Sequence, residues 1–139
     1  VSSLGDAALA ALGLWREDGA VRITMTGDAT ADVVWQRYLD PQLWHRWAPA
    51  IAAAGLDAGA ARLHPGATGW VRSYLGPALR FTVTELSDDR WSWRVGVGRV
   101  RVTMTHGVDA DGATWLELSP LLIGYAPIAR LALRRLVRA

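Results

Sequence analysis

The chain has 139 residues, about half of them hydrophobic, with no cysteine and a formal net charge of +2. That length makes one domain whose core needs no covalent staple, and the missing cysteine excludes disulfides and thiolate chemistry. No apolar run approaches the roughly 20 residues of a membrane span, and the small net charge argues against a nucleic-acid partner.

Residues 4–14 are Ala-rich and predict a short helix or an appendage; residues 1–19 as a whole form an N-terminal extension ahead of a core over 20–139. They lack the flank and cleavage pattern of a secretory signal, so the expected compartment is cytoplasmic. Residues 21–26 alternate and predict a strand. Gly27-Asp28 turns the chain, and Asp28 or Thr30 caps a helix over 31–39. Asp40-Pro41 ends that helix and opens a second, short one, because Asp suits a cap and Pro a first turn. This helix carries Leu43, Trp44 and Trp47 and stops before Pro49.

From about residue 55 the pattern is antiparallel β, with strands expected at 56–64, 68–75, 79–87, 90–97, 100–108 and 113–119. Short turn sequences join them: Gly66, Gly76-Pro77, Asp88-Asp89, Gly98-Arg99 and Asp109 to Gly112. After Pro120, residues Ile123, Ile128, Leu131, Leu133, Leu136 and Val137 predict a closing, well-buried helix. The expected class is α+β, with helices segregated from one antiparallel sheet of about seven strands.

Hairpin geometry assigns the faces. A two-residue Gly76-Pro77 loop pairs Tyr74 with Leu79, Arg72 with Phe81 and Trp70 with Val83, and cross-strand partners share a face. A one-residue slip would turn every side chain over. The Gly98-Arg99 hairpin pairs Val95 with Val102, Trp93 with Met104 and Trp91 with His106. A three-residue loop closed by Gly112 at positive φ sets Leu116 opposite His106 and Leu118 opposite Met104. An odd-length loop or bulge near Asp88-Asp89 would keep Phe81, Val83 and Glu85 with the tryptophans. The expected inner face is thus apolar, with four polar groups: Arg72, Tyr74, Glu85 and His106. Unpaired buried charge is costly, so these groups pair, meet water or line a cavity. The eight tryptophans divide accordingly: Trp35, Trp44 and Trp47 in a helical roof, Trp70, Trp91 and Trp93 on the sheet, and Trp15 and Trp115 unassigned.

The segments VWQRYLDPQLWHRWAP at 34–49, GATGWV at 66–71, FTVTEL at 81–86, WSWRV at 91–95 and THGVDADGATWLEL at 105–118, in this order, resemble the START-like (SRPBCC) superfamily, in which many members are polyketide cyclase/dehydrase-like. The resemblance covers about residues 20–138. It implies a helix-grip fold: a curved antiparallel sheet wrapped around a long C-terminal helix, with an apolar cavity between them. It also implies a hydrophobic small-molecule ligand.

The expected pocket is lined by Trp35, Tyr38, Trp47, Trp70, Phe81, Val83, Glu85, Trp91, Trp93, Met104, Leu116 and Leu118. His106 suits general acid/base work, or is a core histidine with a satisfied hydrogen bond. Arg72 and Tyr74 suit polarisation of a carbonyl or enolate oxygen, or Arg72 pairs with Glu85 at the rim. Three functions follow: a binder of a hydrophobic molecule, a cofactor-free cyclase, aromatase or dehydratase of a polyketide-like substrate, and a non-catalytic lipid- or quinone-binding or chaperone-like module. The chain is expected to act as a monomer or homodimer.

No metal-ligand spacing links His45, His64 and His106, Gly66 to Gly69 is too short for a nucleotide loop, and no nucleophile elbow occurs. No cofactor is expected. Every Lys/Arg position is Arg, and Arg130, Arg134 and Arg138 fall on one helical stripe. That stripe is a solvated face, or a contact for phosphate or an anionic membrane surface.

Overall fold

A computed structural model describes residues 14–17, 20–74, 76, 78–97, 99–118 and 126–138, with side chains from residue 21 onward except Val97. Residues 4–13 of the expected N-terminal helix, and Ile123 in the closing helix, lie outside the described residues. Eight strands form one antiparallel sheet among the described residues: β1 (Leu14–Glu17), β2 (Ala20–Met25), β3 (Ile51–Leu56), β4 (Thr68–Ser73), β5 (Ala78–Leu86), β6 (Arg90–Val97), β7 (Val100–Val108) and β8 (Thr114–Leu118). Their spatial order is β1-β2-β8-β7-β6-β5-β4-β3. The three α-helices among the described residues are α1 (Ala31–Leu39), α2 (Trp44–Trp47) and α3 (Ala126–Leu136). The result is α+β with a helix-grip arrangement.

Local chemistry sets the two short helices where the sequence predicts them. The Thr30 side chain accepts from the Val33 N–H and caps α1. Asp40 Oδ1 accepts from the Gln42 N–H at 3.0 Å, and Pro41 opens a 3-10 turn that runs into α2. The indoles of α2 then complete α1. Trp44 Nε1 donates to the Tyr38 carbonyl at 2.9 Å and Trp47 Nε1 to the Arg37 carbonyl at 3.3 Å. Carbonyls at a helix C-terminus lack intrahelical donors, so the two tryptophans lock α1 and α2 into one unit.

Two strands differ from expectation. Residues 14–17 pair with β2 rather than belonging to an appendage. β3 covers 51–56, not 56–64, because the Ala-rich run after Pro49 pairs with β4; beyond it Asp57–Gly59 forms a 3-10 turn with Ala58 at φ 61.

The hairpins at Gly98-Arg99 and Gly112 carry the expected pairs, including Trp91 with His106 and His106 with Leu116. Gly112 has φ +90, and its N–H bonds the Asp109 carbonyl. The β4–β5 hairpin does not follow expectation. It pairs Arg72 with Ala78, Trp70 with Arg80 and Gly69 with Phe81. The connection is longer than two residues, by an odd register shift, and so the strand is turned over. Val71 is buried, whereas Trp70 is half-buried and Arg72 and Tyr74 are exposed on the outer side. In β5 a bulge lies between Val83 and Glu85. It keeps Phe81 and Val83 inside as expected, but sets Glu85 opposite Ser92 and Leu86 opposite Trp91, so Glu85 is exposed.

The outer face seats its own tryptophans over glycines. An added Cβ at Gly107 would lie 2.1 Å from the Trp115 ring, and one at Gly55 would lie 2.9 Å from Trp70. The bare backbone lets each indole lie flat on the neighbouring strand. Arg22 and Arg90 sit over Trp115 at 4.3 and 5.0 Å from its ring centroid, and Arg22 also pairs with Glu117.

Helix α3 spans eleven of the described residues, Ala126–Leu136. It buries Ala126, Ala129, Ala132, Leu133 and Leu136 against α2, β2 and β8. Ile128 and Leu131 face outward, so its apolar stripe is narrower than the sequence suggests. Its small alanines allow close approach to the aromatic face of the sheet. No helix among the described residues is long and apolar enough to cross a membrane.

Candidate ligand-binding site

An apolar cavity lies between the sheet and helices α2 and α3. Trp91 and Trp93 of β6, Met104 and His106 of β7 and Leu116 of β8 form its floor; Trp44, Trp47, Ala48 and Ile51 form one wall and Ala129, Ala132 and Leu133 of α3 the other. Its volume is about 40 Å³, room for a few waters, whereas cavities that admit a benzene ring measure roughly 150 Å³. Any ring-sized ligand must therefore displace part of the Trp47 and α3 walls.

The chemistry of the floor is unusual. His106 is only 5% exposed, and neither of its ring nitrogens has a hydrogen-bond partner among the described residues. The indole N–H groups of Trp91 and Trp93 are also buried and unanswered. The imidazole stacks on Trp91 with centroids 4.5 Å apart and planes 11° from parallel, and lies 5.2 Å from the Tyr38 ring. Burial penalises the charged form and pushes the His106 pKa down to about 3. The ring is thus neutral at physiological pH.

Tyr38 contrasts with it. Its hydroxyl meets Thr114 Oγ1, and Thr114 donates to the Gly107 carbonyl at 2.9 Å. Since the threonine proton is spent on Gly107, the tyrosine donates and is satisfied. Burial raises the Tyr38 pKa far above the usual phenol range, with the Thr114 bond opposing in part. This hydroxyl is a structural tie between α1 and β8.

Six of the predicted residues line the cavity: Trp47, Trp91, Trp93, Met104, His106 and Leu116. Tyr38, Phe81, Val83 and Leu118 are buried in the surrounding core without reaching it. Trp35 packs at the edge of the core against Tyr38, beside Asp32, Asp88, Asp89 and Asp109, and does not line the cavity. Trp70, Arg72, Tyr74 and Glu85 are on the outer face, so the expected cluster of Arg72 and Tyr74 with His106 does not form. Nor do Arg72 and Glu85 pair: Arg72 stands opposite Ala78 and Glu85 opposite Ser92, at opposite ends of β5. Trp44, Ala48, Ile51, Ala129, Ala132 and Leu133 also line the cavity, beyond the residues expected from the sequence. For α3 the signal was present, because Ala126, Ala129, Ala132, Leu133 and Leu136 recur at helical spacing. Among the described residues no group of His, Asp or Glu is arranged to hold a metal.

The sheet gripping a C-terminal helix over an apolar cavity defines a START-like domain. The chain belongs to the polyketide cyclase/dehydrase and lipid transport family, which matches residues 19–139. Solved structures share the fold. Hypothetical protein jhp0584 from Helicobacter pylori is 15% identical, with 85% of this chain and 84% of that one covered and a TM-score of 0.66. Protein MLL2253 from Mesorhizobium loti is 13% identical, with coverage of 85% and 93% and a TM-score of 0.66. CalU16 from Micromonospora echinospora is 17% identical, with coverage of 89% and 82% and a TM-score of 0.58. Comparison with curated proteins gives no match.

Proposed function

We propose that the protein binds a small, mostly apolar molecule bearing an oxygen, in the cavity between the sheet and helices α2 and α3. One observation carries this: four buried ring nitrogens, on Trp91, Trp93 and His106, have no partner among the described residues. Leaving such a group unanswered costs about 1–3 kcal/mol. A carbonyl or hydroxyl oxygen accepts from an indole N–H, and the neutral imidazole offers one donor and one acceptor. Membership in a family described by cyclisation, dehydration and lipid transport supports a hydrophobic ligand.

Binding without turnover is the better-supported reading. A general acid or base works best with a pKa near the operating pH, and His106 sits near 3. Arg72 and Tyr74, the groups suited to polarising a carbonyl, face solvent. A polyketide cyclase, aromatase or dehydratase would need other residues.

The test is a titration of 15N-labelled protein with 1-naphthol and with naphthalene, reading the indole N–H resonances. Saturable shifts of the Trp91 and Trp93 resonances, at lower concentration for 1-naphthol, are expected. Ala132→Leu, which fills the cavity from α3, should weaken both. No saturable shift of either resonance with either compound would sink the reading.

A further inference from the structure

A second cavity of about 210 Å³ opens beside the first, lined by Arg37, Leu43, Arg46, Trp47, Arg135 and Arg138. Trp47 forms a wall of both cavities. Its Nε1 donates to the Arg37 carbonyl, and the two spaces meet at this indole.

Among the described residues, four arginines and no carboxylate line this space. One of the four has a structural task. Arg37 Nη1 donates to the carbonyls of Leu136 and Arg138 at 2.5 and 2.6 Å. It thereby satisfies the end of α3 and opposes the negative end of the helix dipole. The other three, Arg46, Arg135 and Arg138, pair with no acidic side chain among the described residues. Their elements converge from different parts of the chain: Arg46 comes from α2, and Arg135 and Arg138 from the end of α3. Like charges gathered in a concave space raise the local concentration of anions, and guanidinium forks match the oxygens of phosphate and carboxylate.

We propose that this arginine cavity holds the acidic group, a phosphate or carboxylate, of the ligand whose apolar part enters the neighbouring cavity past Trp47. The inference rests on the apolar cavity being a binding site. The ligand is then an anionic amphiphile: its ring or chain meets Trp91, Trp93 and His106, and its charge meets Arg46, Arg135 and Arg138. Leu43 and the Trp47 face supply the apolar lining between the two.

The experiment compares 1-naphthyl phosphate, 1-naphthol and inorganic phosphate by calorimetry at low salt, with wild type and with Arg46→Gln/Arg135→Gln. In wild type 1-naphthyl phosphate should bind at least roughly tenfold tighter than 1-naphthol, as charge-assisted contacts allow, and tighter than inorganic phosphate. The ratio of the two naphthyl affinities should collapse toward one in the double variant and fall with salt in wild type. Equal affinities in wild type, or a ratio that survives the double variant, overturn the inference and leave the apolar cavity standing. Inorganic phosphate binding as tightly as 1-naphthyl phosphate overturns it in favour of a bare anion site. Binding of neither naphthyl compound removes the cavity reading and this inference together. Binding only to anionic phosphatidylserine vesicles, with none to 1-naphthyl phosphate, overturns it in favour of a membrane contact.

Discussion

The His106 imidazole lies flat on the Trp91 indole, with centroids 4.5 Å apart and planes 11° from parallel. Both imidazole nitrogens are buried and unbonded among the described residues. The ring is neutral in the folded protein down to about pH 3, whereas in the unfolded chain it takes a proton near pH 6.5. The unfolded state therefore binds more protons between these values. The stability fully present above pH 6.5 is lost as the pH falls toward 3, by at most about 1.4 kcal/mol per pH unit. His106→Phe keeps the stacked ring and removes both the proton site and the orphaned nitrogens. We expect it to stabilise the protein by about 1–3 kcal/mol at pH 7 and to flatten the fall in stability between pH 6.5 and 4. Urea melts across that range check both; a wild-type slope retained in the variant contradicts the assignment.

Gly107 gives Trp115 its seat on the outer face. A Cβ there would meet the indole at 2.1 Å, well inside contact distance. Gly107→Ala should cost about 1–3 kcal/mol by forcing the ring or the strand aside. Denaturant unfolding measures the loss. A change within 0.5 kcal/mol would mean that the indole moves freely.

Arg37 ties α1 to the end of α3 through two carbonyls. Arg37→Met keeps much of the apolar stem and removes the donors. The expected cost is about 1–2 kcal/mol, within the range for a cation at a partly buried helix C-terminus. Hydrogen exchange should quicken selectively in the last turn of α3. Unchanged exchange there would argue against the cap.

Arg72 and Tyr74 test the register of the β4–β5 hairpin. Tyr74 is 69% exposed and Arg72 is also on the surface. Arg72→Ala and Tyr74→Phe should each alter stability by no more than about 0.5 kcal/mol. Neither should change the 1-naphthol titration of the Trp91 and Trp93 resonances. A loss of binding in either variant would restore the inward placement that a two-residue loop predicts.

The sequence by itself determined what depends on neighbours along the chain. The Asp40 cap, the Pro41 turn, the Gly112 loop and the pairing of Trp91, Trp93 and His106 across β6 and β7 all follow from a few adjacent residues. Local backbone preference and short hairpin geometry act over that range, so they are legible. The length of the Gly76-Pro77 connection is not, nor is the position of the bulge in β5, which lies between Val83 and Glu85 rather than at Asp88-Asp89. Each changes register by an odd step, and pleat periodicity converts that step into a change of face. Arg72, Tyr74 and Glu85 left the interior for this reason. The partners of the C-terminal arginines were equally hidden. Periodicity alone groups Arg130, Arg134 and Arg138, but the docking of α3 on α2 brings Arg135 and Arg138 beside Arg46 and Trp47. Only tertiary packing, which joins residues some ninety positions apart, decided where charge and apolar cavity meet.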